Sequence, residues 1–570
     1  MKLVKANIHN FRGILDATFN LNEYSLIVGP NNAGKSTIID AIRAFYEKDG
    51  FKFRPDRDQP MSTKQQCDSW VELTYELCDS ELDSISDQYK RDDRILQLIK
   101  FMHLTEDSDF ADKSIGVIYS RQANGEISNE QFYGAKNVQS GKIGDLIYIP
   151  AVSKIDDHTK LSGPSSLRDL LTDILTNVMD SNSVFAEFEE AVDRFASSIS
   201  ESQTKDARSI NDFQDKLNEL LHPWQTKFAI KFKSPKTDEI IKQMLAWEMI
   251  DKLHGQPVSI DNYGSGFQRH FIYSMIQLRA SYAKQSRAKK SNDFCPELTL
   301  LLFEEPEAFL HPPQQEKLAR ILRDLGAAAS LQVICTTHSS NFVSRKSDSL
   351  HSIVRVKRTN GISRTYQIDL DTWNEIVESN MKIMSISGVE KTSHPHDKLL
   401  PMESAKHFIW LSPDRSSAFF ADHVLIVEGP TEVSLIVKLM DDDLIITDRT
   451  VHVLDGCGKF NQHRFIKLLS TLGIDHSVIY DDDNNKTFHP EIASLINKTS
   501  HPEFTYKIVE IPGETEKFLN IPPAGEDRRK PQNALYHYNT GSIDPHLIQN
   551  FCDLIMSCFP DSEASQQSAD

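Results

Sequence analysis

The first residues of the chain, MKLVKANIHNF, alternate apolar and polar side chains with the two-residue period of a half-buried strand. A strand-like, largely apolar run at residues 24–28 leads into a glycine-rich turn. Beyond it the apolar positions Ile38, Ile39, Ile42 and Phe45 repeat at helical spacing, predicting a helix over residues 35–46. Strand-like stretches at 71–77, 115–119 and 146–149 complete a β-rich lobe. From about residue 165 to 250 the period lengthens to three and four in LRDLLTDILTNVM, VFAEFEEAVDRFASSI and NDFQDKLNELL, which predicts a helical insertion. Such an insertion either projects from the body, where it dimerises or covers a substrate, or packs as ordinary core.

Strand patterns return at 331–336 and 353–356, followed by a helical and loop-rich stretch with the linker-like SHPHDK. A second α/β unit opens near Ala418 with HVLIVEGPTEVSLIVKLM, VHVLDGCGK, NQHRFIKLLSTLG and HSVIYDDDN. This βαβαβ alternation predicts a parallel sheet whose loops gather at the carboxyl ends of the strands. A last strand is predicted at 506–511, and the tail DSEASQQSAD has the composition of a disordered segment. The expected domain boundaries are 1–160 and 256–370 for two parts of one nucleotide-binding domain and 161–255 for the helical insertion. A linker follows at 371–415, then a second α/β domain at 416–560 and the tail at 561–570.

The length of 570 residues exceeds what one hydrophobic core serves. The longest apolar runs, such as 298–303 apart from Thr299, fall far short of the ~20 residues that cross a bilayer, so no membrane partner is expected. The amino terminus lacks the apolar core of a secretory signal, which predicts a cytoplasmic protein. Its seven cysteines contain no CxxC pair, arguing against both a zinc site and a disulfide framework. A net charge of −19 rules against coating nucleic acid with the whole surface. Contact with DNA must then be local, with candidate patches at Lys284, Arg287, Lys289 and Lys290 and at Arg528, Arg529 and Lys530.

In GPNNAGKS the residues Gly29, Asn31, Asn32, Gly34, Lys35, Ser36 and Thr37 form a phosphate-binding turn between a strand and a helix. Its backbone N–H groups surround phosphate oxygens, Lys35 reaches the β and γ phosphates, and Ser36 is a Mg²⁺ ligand. The apolar strand in LTLLLFEEPEAFLHP ends in Glu304, placed to orient the Mg²⁺ shell, and Glu305, placed to polarise the attacking water. His338 ends the next strand, within reach of the γ phosphate. In YGSGFQR, Ser265, Gly266 and Gln268 open a helix whose start suits an anion. These four motifs, in their order along the chain, resemble the ATP-binding-cassette ATPases, closer to the DNA-repair and chromosome-maintenance branch than to the transporters. Glu304 stands where that family usually has Asp, and Phe267 interrupts its usual SGGQ. The resemblance implies ATP as cofactor and a homo-oligomer in which the signature helix of one subunit closes over ATP held by another.

In the second unit, Glu428, Glu432, Asp481 and Asp483 are expected at one edge of the parallel sheet. Clustered carboxylates repel unless a cation sits among them, so Mg²⁺ or Mn²⁺ is the expected ion. Glu514 and Glu516 are placed to hold a second ion, and Lys530 to neutralise charge on a phosphate. EGPTE and DDD look like a Toprim domain. An ATPase of this kind followed by Toprim resembles the overcoming-lysogenisation-defect (OLD) family of nucleases along nearly the whole chain. The resemblance implies a two-metal nuclease site formed by Glu428, Glu432, Asp481, Asp483, Glu514, Glu516 and Lys530, with DNA as partner and substrate. It also implies a role in bacterial defence against phage, with a separately encoded helicase-like, reverse-transcriptase or other partner. The competing reading is a non-catalytic, ATP-driven DNA clamp or sensor whose Toprim unit is a binding scaffold.

Overall fold

The computed structural model describes the chain apart from residues 62–66, 135–141, most of 152–183, 203–208, 231–238, parts of 241–244 and 287–297, 328–330, 344–346, 386–411, 483–487 and 561–570. Two compact units emerge: residues Met1–Ala151 with Asp293–Asp570, and residues Val152–Asn292.

The larger unit contains three sheets. The first is antiparallel. It is built from β1 (Lys2–Phe11), β2 (Ile14–Asn20), β4 (Ser69–Glu76), β5 (Ile95–His103), β6 (Ile118–Arg121) and β7 (Ile127–Gln131), in the order β2-β1-β4-β5-β6-β7. The second carries the nucleotide motifs on β3 (Tyr24–Val28), β8 (Asp145–Ile149), β11 (Thr299–Glu304), β12 (Leu331–Thr336), β13 (Ile353–Thr359) and β14 (Ile362–Gln367), in the order β14-β13-β3-β12-β11-β8. All of its pairings are parallel except the β13–β14 hairpin. Strands β3, β11 and β12 are buried at every residue, as expected of predominantly apolar strands in a parallel sheet covered on both faces. The helix Lys35–Tyr46 buries Ile38, Ile39, Ile42 and Phe45 in a core shared by both sheets.

The third sheet contains β15 (His423–Val427), β16 (Val451–Asp455), β17 (His476–Asp481) and β18 (Thr505–Ile511), all parallel in the order β16-β15-β17-β18. Its core includes Leu425, Val427, Leu435, Ile436, Ile479, Ile511 and Phe551. Parallel pairing puts the carboxyl ends of all four strands at one edge, where Glu428 and Asp481 lie.

Strand β13 ties the second and third sheets together. The guanidinium of Arg355, 1% exposed, donates to the carbonyls of Phe419 (3.1 Å), Leu472 (3.2 Å), Gly473 (2.9 Å) and Ala421 (3.4 Å). Beside it Lys357 pairs with Asp475 at 2.7 Å. His463 meets Asn380 on the helix Leu370–Met384 at 2.9 Å, within the stretch predicted as linker.

In the smaller unit, β9 (Met249–Ile250) and β10 (Pro257–Val258) form a short ribbon. The helices Val184–Glu201 and Ile210–Leu221 follow the expected periodicity, the second with a capping box between Ser209 and Asp212. The helix Ser265–Ser286 begins at the predicted GSG.

Candidate functional site

The turn Gly29–Gly34 is shaped by glycines that no other residue can replace without movement. Gly29, at φ 144°, lies so close to β13 that an added Cβ would sit 2.2 Å from the carbonyl oxygen of Val356. Gly34, at φ 106°, starts the helix, and a Cβ there would meet Ser363 Oγ at 2.7 Å. Asn31 and Asn32 are exposed on the turn; Asn32 accepts from Arg358 at 3.3 Å. Lys35 folds back over the turn, its ammonium donating to the carbonyls of Gly29 (2.9 Å) and Pro30 (2.8 Å). Burial lowers its pKa to about 8, against the pull of Glu305 and Glu307. A partly desolvated cation at an uncapped helix start suits a polyphosphate.

Ser36 hydrogen-bonds to Glu304, which also accepts from the Tyr148 hydroxyl at 2.9 Å. Burial raises the Glu304 pKa, and these two donors work against that rise. Glu305, at φ 44°, bends the chain out of β11 and places Oε1 3.2 Å from His338 Nε2. His338 Nδ1 lies 3.4 Å from Lys35 Nζ. Because an ammonium only donates, the chain of contacts fixes the imidazole with its proton on Nε2, toward Glu305. Burial, then the neighbouring Lys35, lowers the His338 pKa and keeps the ring neutral. Lys35, Ser36, Glu304, Glu305 and His338 thus meet in one place. Gly266 and Gln268 belong to the smaller unit, where Gln268 donates to the carbonyls of Ile260 and Tyr263. The side chain of Ser265 is outside the described residues, and Thr37, half-buried, donates its backbone N–H to Gly34.

The second cluster forms at the carboxyl edge of the third sheet. Glu428 follows β15, and one of its carboxylate oxygens accepts from the backbone N–H of Asp481 at 3.2 Å. Glu432 sits in the first turn of the helix Pro430–Asp441 and accepts from the N–H of Gly429 at 3.0 Å, so a capping bond aims it back toward Glu428. Thr515 donates to Asp481 Oδ1 at 3.3 Å. Burial, then the charges of Glu432, Glu428 and Glu516, drives the Asp481 pKa up to about 8. Glu432 is driven to about 7 by burial, with Glu428 and Glu516 adding to the rise. Four carboxylates therefore share one electrostatic site, two of them protonated with ease when no cation is present. All-oxygen donors under mutual repulsion fit a hard divalent cation.

Lys530 opens the helix Lys530–Asn539, with Nζ 3.5 Å from Glu514 and 4.0 Å from Glu516. The hydrogen bond from Lys517, with help from Lys530, lowers the pKa of Glu514. Arg528 and Arg529 pair with Glu526 at 2.6 and 3.6 Å. Asp483 lies outside the described residues, as do Arg287, Lys289 and Lys290 of the predicted basic patch. The side chain of Asp482 lies 3.7 Å from His489 Nε2, and that nitrogen is 2.7 Å from Glu510. Sequence reading passed over Tyr148 and Thr515. Thr515 is embedded in the acidic GETE, a signal that was available. Tyr148 reads as a plain strand residue, and only strand pairing sets it beside Glu304.

Residues 1–343 match the family described as AAA ATPase domain, and residues 419–483 match the TOPRIM domain described as overcoming lysogenization defect protein-like. The chain is 24% identical over 499 residues to the Old nuclease of Escherichia phage P2, covering 85% of this chain and 77% of that protein. It is 21% identical over 526 residues to endonuclease GajA of Bacillus cereus strain HuB5-5, covering 83% and 73%. No helix among the described residues is long and apolar enough to cross a membrane. With a glycine-rich turn beside Glu304, Glu305 and His338, and a cluster of carboxylates downstream, the chain belongs to the AAA ATPase domain family and carries an OLD-like TOPRIM domain behind its ATPase.

Proposed function

We propose that this protein is an ATP-regulated, metal-dependent DNA endonuclease. One observation carries the reading: Glu428, Glu432, Asp481 and Glu516 converge at the strand ends of the TOPRIM sheet, with the pKa of Asp481 raised to about 8. The similarity to named nucleases over most of both chains supports the same conclusion.

Glu428, Glu432, Asp481 and Glu516 would hold one or two Mg²⁺ or Mn²⁺ ions, with Asp483 and Glu514 as further donors. A pair of such ions supplies an activated water and charge neutralisation at the leaving oxygen. The protein's own contribution is positional. Thr515 orients Asp481, the capping bond orients Glu432, and Lys530 stands beside Glu514 and Glu516 to receive a phosphodiester. In the ATPase half, Gly29, Asn31, Asn32, Gly34, Lys35, Ser36 and Thr37 bind the phosphates. Glu304 and Ser36, joined by a hydrogen bond, would hold Mg²⁺, and Glu305 with neutral His338 would position the attacking water. Ser265, Gly266 and Gln268 act on nucleotide held by a second copy of the chain, which makes the working form a homo-oligomer. Arg355 links the P-loop sheet to the TOPRIM sheet and gives ATP a path to the nuclease site. The biological role we infer is cytoplasmic defence against phage, with a separately encoded partner that presents nucleic acid.

The test is plasmid cleavage in Mg²⁺ or Mn²⁺ by wild type, Glu428→Ala and Asp481→Ala, with Lys35→Ala assayed across nucleotide conditions. Cutting by wild type alone is expected. Equal nicking by wild type and both carboxylate variants would leave the clamp or sensor as the better reading. Cleavage by Lys35→Ala indistinguishable from wild type with and without ATP would remove the regulatory half of the proposal.

A further inference from the structure

The segment Gly456–Lys459, between β16 and the next helix, has no role in the function argued above, yet it touches the main chain behind both carboxylate-bearing strands. The N–H of Gly456 donates to the carbonyl of Val427 at 2.9 Å, and that of Gly458 to the carbonyl of Glu428 at 2.8 Å. The approach is close enough that a Cβ on Gly456 would stand 2.7 Å from the Val427 oxygen. Lys459 then reaches across to β17, where its ammonium donates to the carbonyl of Asp481 at 2.5 Å. One short segment thereby grips the residue that carries each of two carboxylates of the acidic site.

Lys459 is 3% exposed, which is costly for an ammonium unless its donors are satisfied. Its second acceptor is His489 Nδ1 at 2.8 Å, and its charge lies 4.8 Å from the centre of the Tyr480 ring. Since the ammonium has no lone pair, Nδ1 must accept and the imidazole proton must sit on Nε2. That proton points at Glu510 Oε1, 2.7 Å away, with Asp482 Oδ1 at 3.7 Å. Asp482, His489 and Glu510 have the spacing of a metal-binding trio. The proton on Nε2 takes away the imidazole lone pair that a cation needs, and the nearby ammonium repels one. The trio is instead the outer end of a hydrogen-bonded chain that runs Glu510, His489, Lys459, Asp481.

We propose that Lys459 is a positioning residue for the acidic site: seated by His489, it fixes the end of β17 against Glu428 and sets a buried positive charge behind the carboxylates. This inference rests on the metal-dependent reading of the site. Outer groups that orient metal ligands change affinity by about 10–100-fold when removed, which sets the scale expected here.

The experiment compares full-length wild type, Lys459→Met, His489→Gln and His489→Leu. Each is assayed for Mn²⁺ binding by calorimetry without nucleotide or DNA, for thermal unfolding in EDTA, and for plasmid cleavage with kcat and KM separated. Lys459→Met is expected to bind Mn²⁺ at least about tenfold more weakly and to lose kcat while its KM for DNA holds. His489→Gln keeps an acceptor for Lys459 and a donor for Glu510, so it should stay near wild type, whereas His489→Leu should follow Lys459→Met. A purely structural lysine would lower the unfolding temperature and leave Mn²⁺ affinity and kcat of the folded protein unchanged, and that result overturns the proposal. If Lys459→Met does not fold, the His489 pair decides, and equal Mn²⁺ affinity in His489→Leu and wild type overturns it. Wild type that binds Mn²⁺ without cutting DNA would defeat the nuclease reading and leave the positioning role to the binding data.

Discussion

Replacing Asp481 with Asn should make the metal-free protein more stable, because the native carboxyl group is held where its charge is unwelcome. The pKa of Asp481 moves from an ordinary 3.8 to about 8 through burial and the charges of Glu432, Glu428 and Glu516. A folded-state pKa above the unfolded value means that the folded protein binds the extra proton. Stability is therefore fully present below pH 3.8 and is lost as pH rises toward 8. At about 1.4 kcal/mol per pKa unit, the interval from 3.8 to pH 7 corresponds to about 4 kcal/mol opposing folding. Asparagine has no charge to desolvate and can still accept from Thr515, so a gain of about 2–4 kcal/mol is expected at pH 7 in EDTA, shrinking below about 2 kcal/mol at pH 5. Urea unfolding followed by tryptophan-independent far-UV signal and by calorimetry measures it. Saturating Mn²⁺ should then narrow the gap. Wild type gains about 2.7 kcal/mol at a metal concentration 100 times its Kd, and Asp481→Asn gains much less. Identical unfolding of the two proteins in EDTA at pH 7, or an equal response to Mn²⁺, would refute the shared-carboxylate account of the site.

Other parts of the structure carry predictions of their own. Arg355→Met leaves four buried carbonyls without their donor and should destabilise the protein by about 3 kcal/mol, the loss of its hydrogen bonds exceeding the relief of a charge whose burial lowers its pKa to about 10. Calorimetry of the variant checks it, and ATP-dependence of plasmid cleavage should weaken in parallel. Gly29→Ala forces a Cβ against the Val356 carbonyl and should abolish ATP binding in a fluorescent-nucleotide titration, with a loss of at least about 2 kcal/mol in unfolding free energy. Buried His423 and His476 have folded pKa values lowered to about 3 and about 4, by burial first. Both stay neutral in the folded protein, so the stability they contribute is present above pH 6.5 and is lost as pH falls toward 4. His423→Gln should reduce the fall in urea-unfolding free energy between pH 7 and pH 5, by about 2 kcal/mol at most, and an unchanged pH profile would contradict the assignment.

Much of the architecture is legible in local pattern. The helix Lys35–Tyr46 and the strands β3 and β12 occupy the spans their patterns predict, because a glycine turn, a helix stripe and a predominantly apolar strand are each specified by neighbours in sequence. The acidic residues of the TOPRIM site are legible for a related reason: parallel βαβ units must deliver their strand ends to one edge, so Glu428 and Asp481 are brought together by topology alone. Residues 483–487, with Asp483 among them, lie outside the described part of the chain.

The tertiary structure decided the rest, since it depends on separations of tens or hundreds of residues that no local pattern encodes. Strand order places Tyr148 beside Glu304 and Val356 against Gly29. Packing of one sheet on another turns Arg355, an ordinary strand arginine in sequence, into a buried tie between the ATPase and TOPRIM sheets. The same packing seats Lys459 between Asp481 and His489, where its desolvation fixes both its charge partners and its place behind the site. Side-chain chemistry is written residue by residue, but its strength is set by burial and by neighbours from remote segments, and both arise only when the chain is folded.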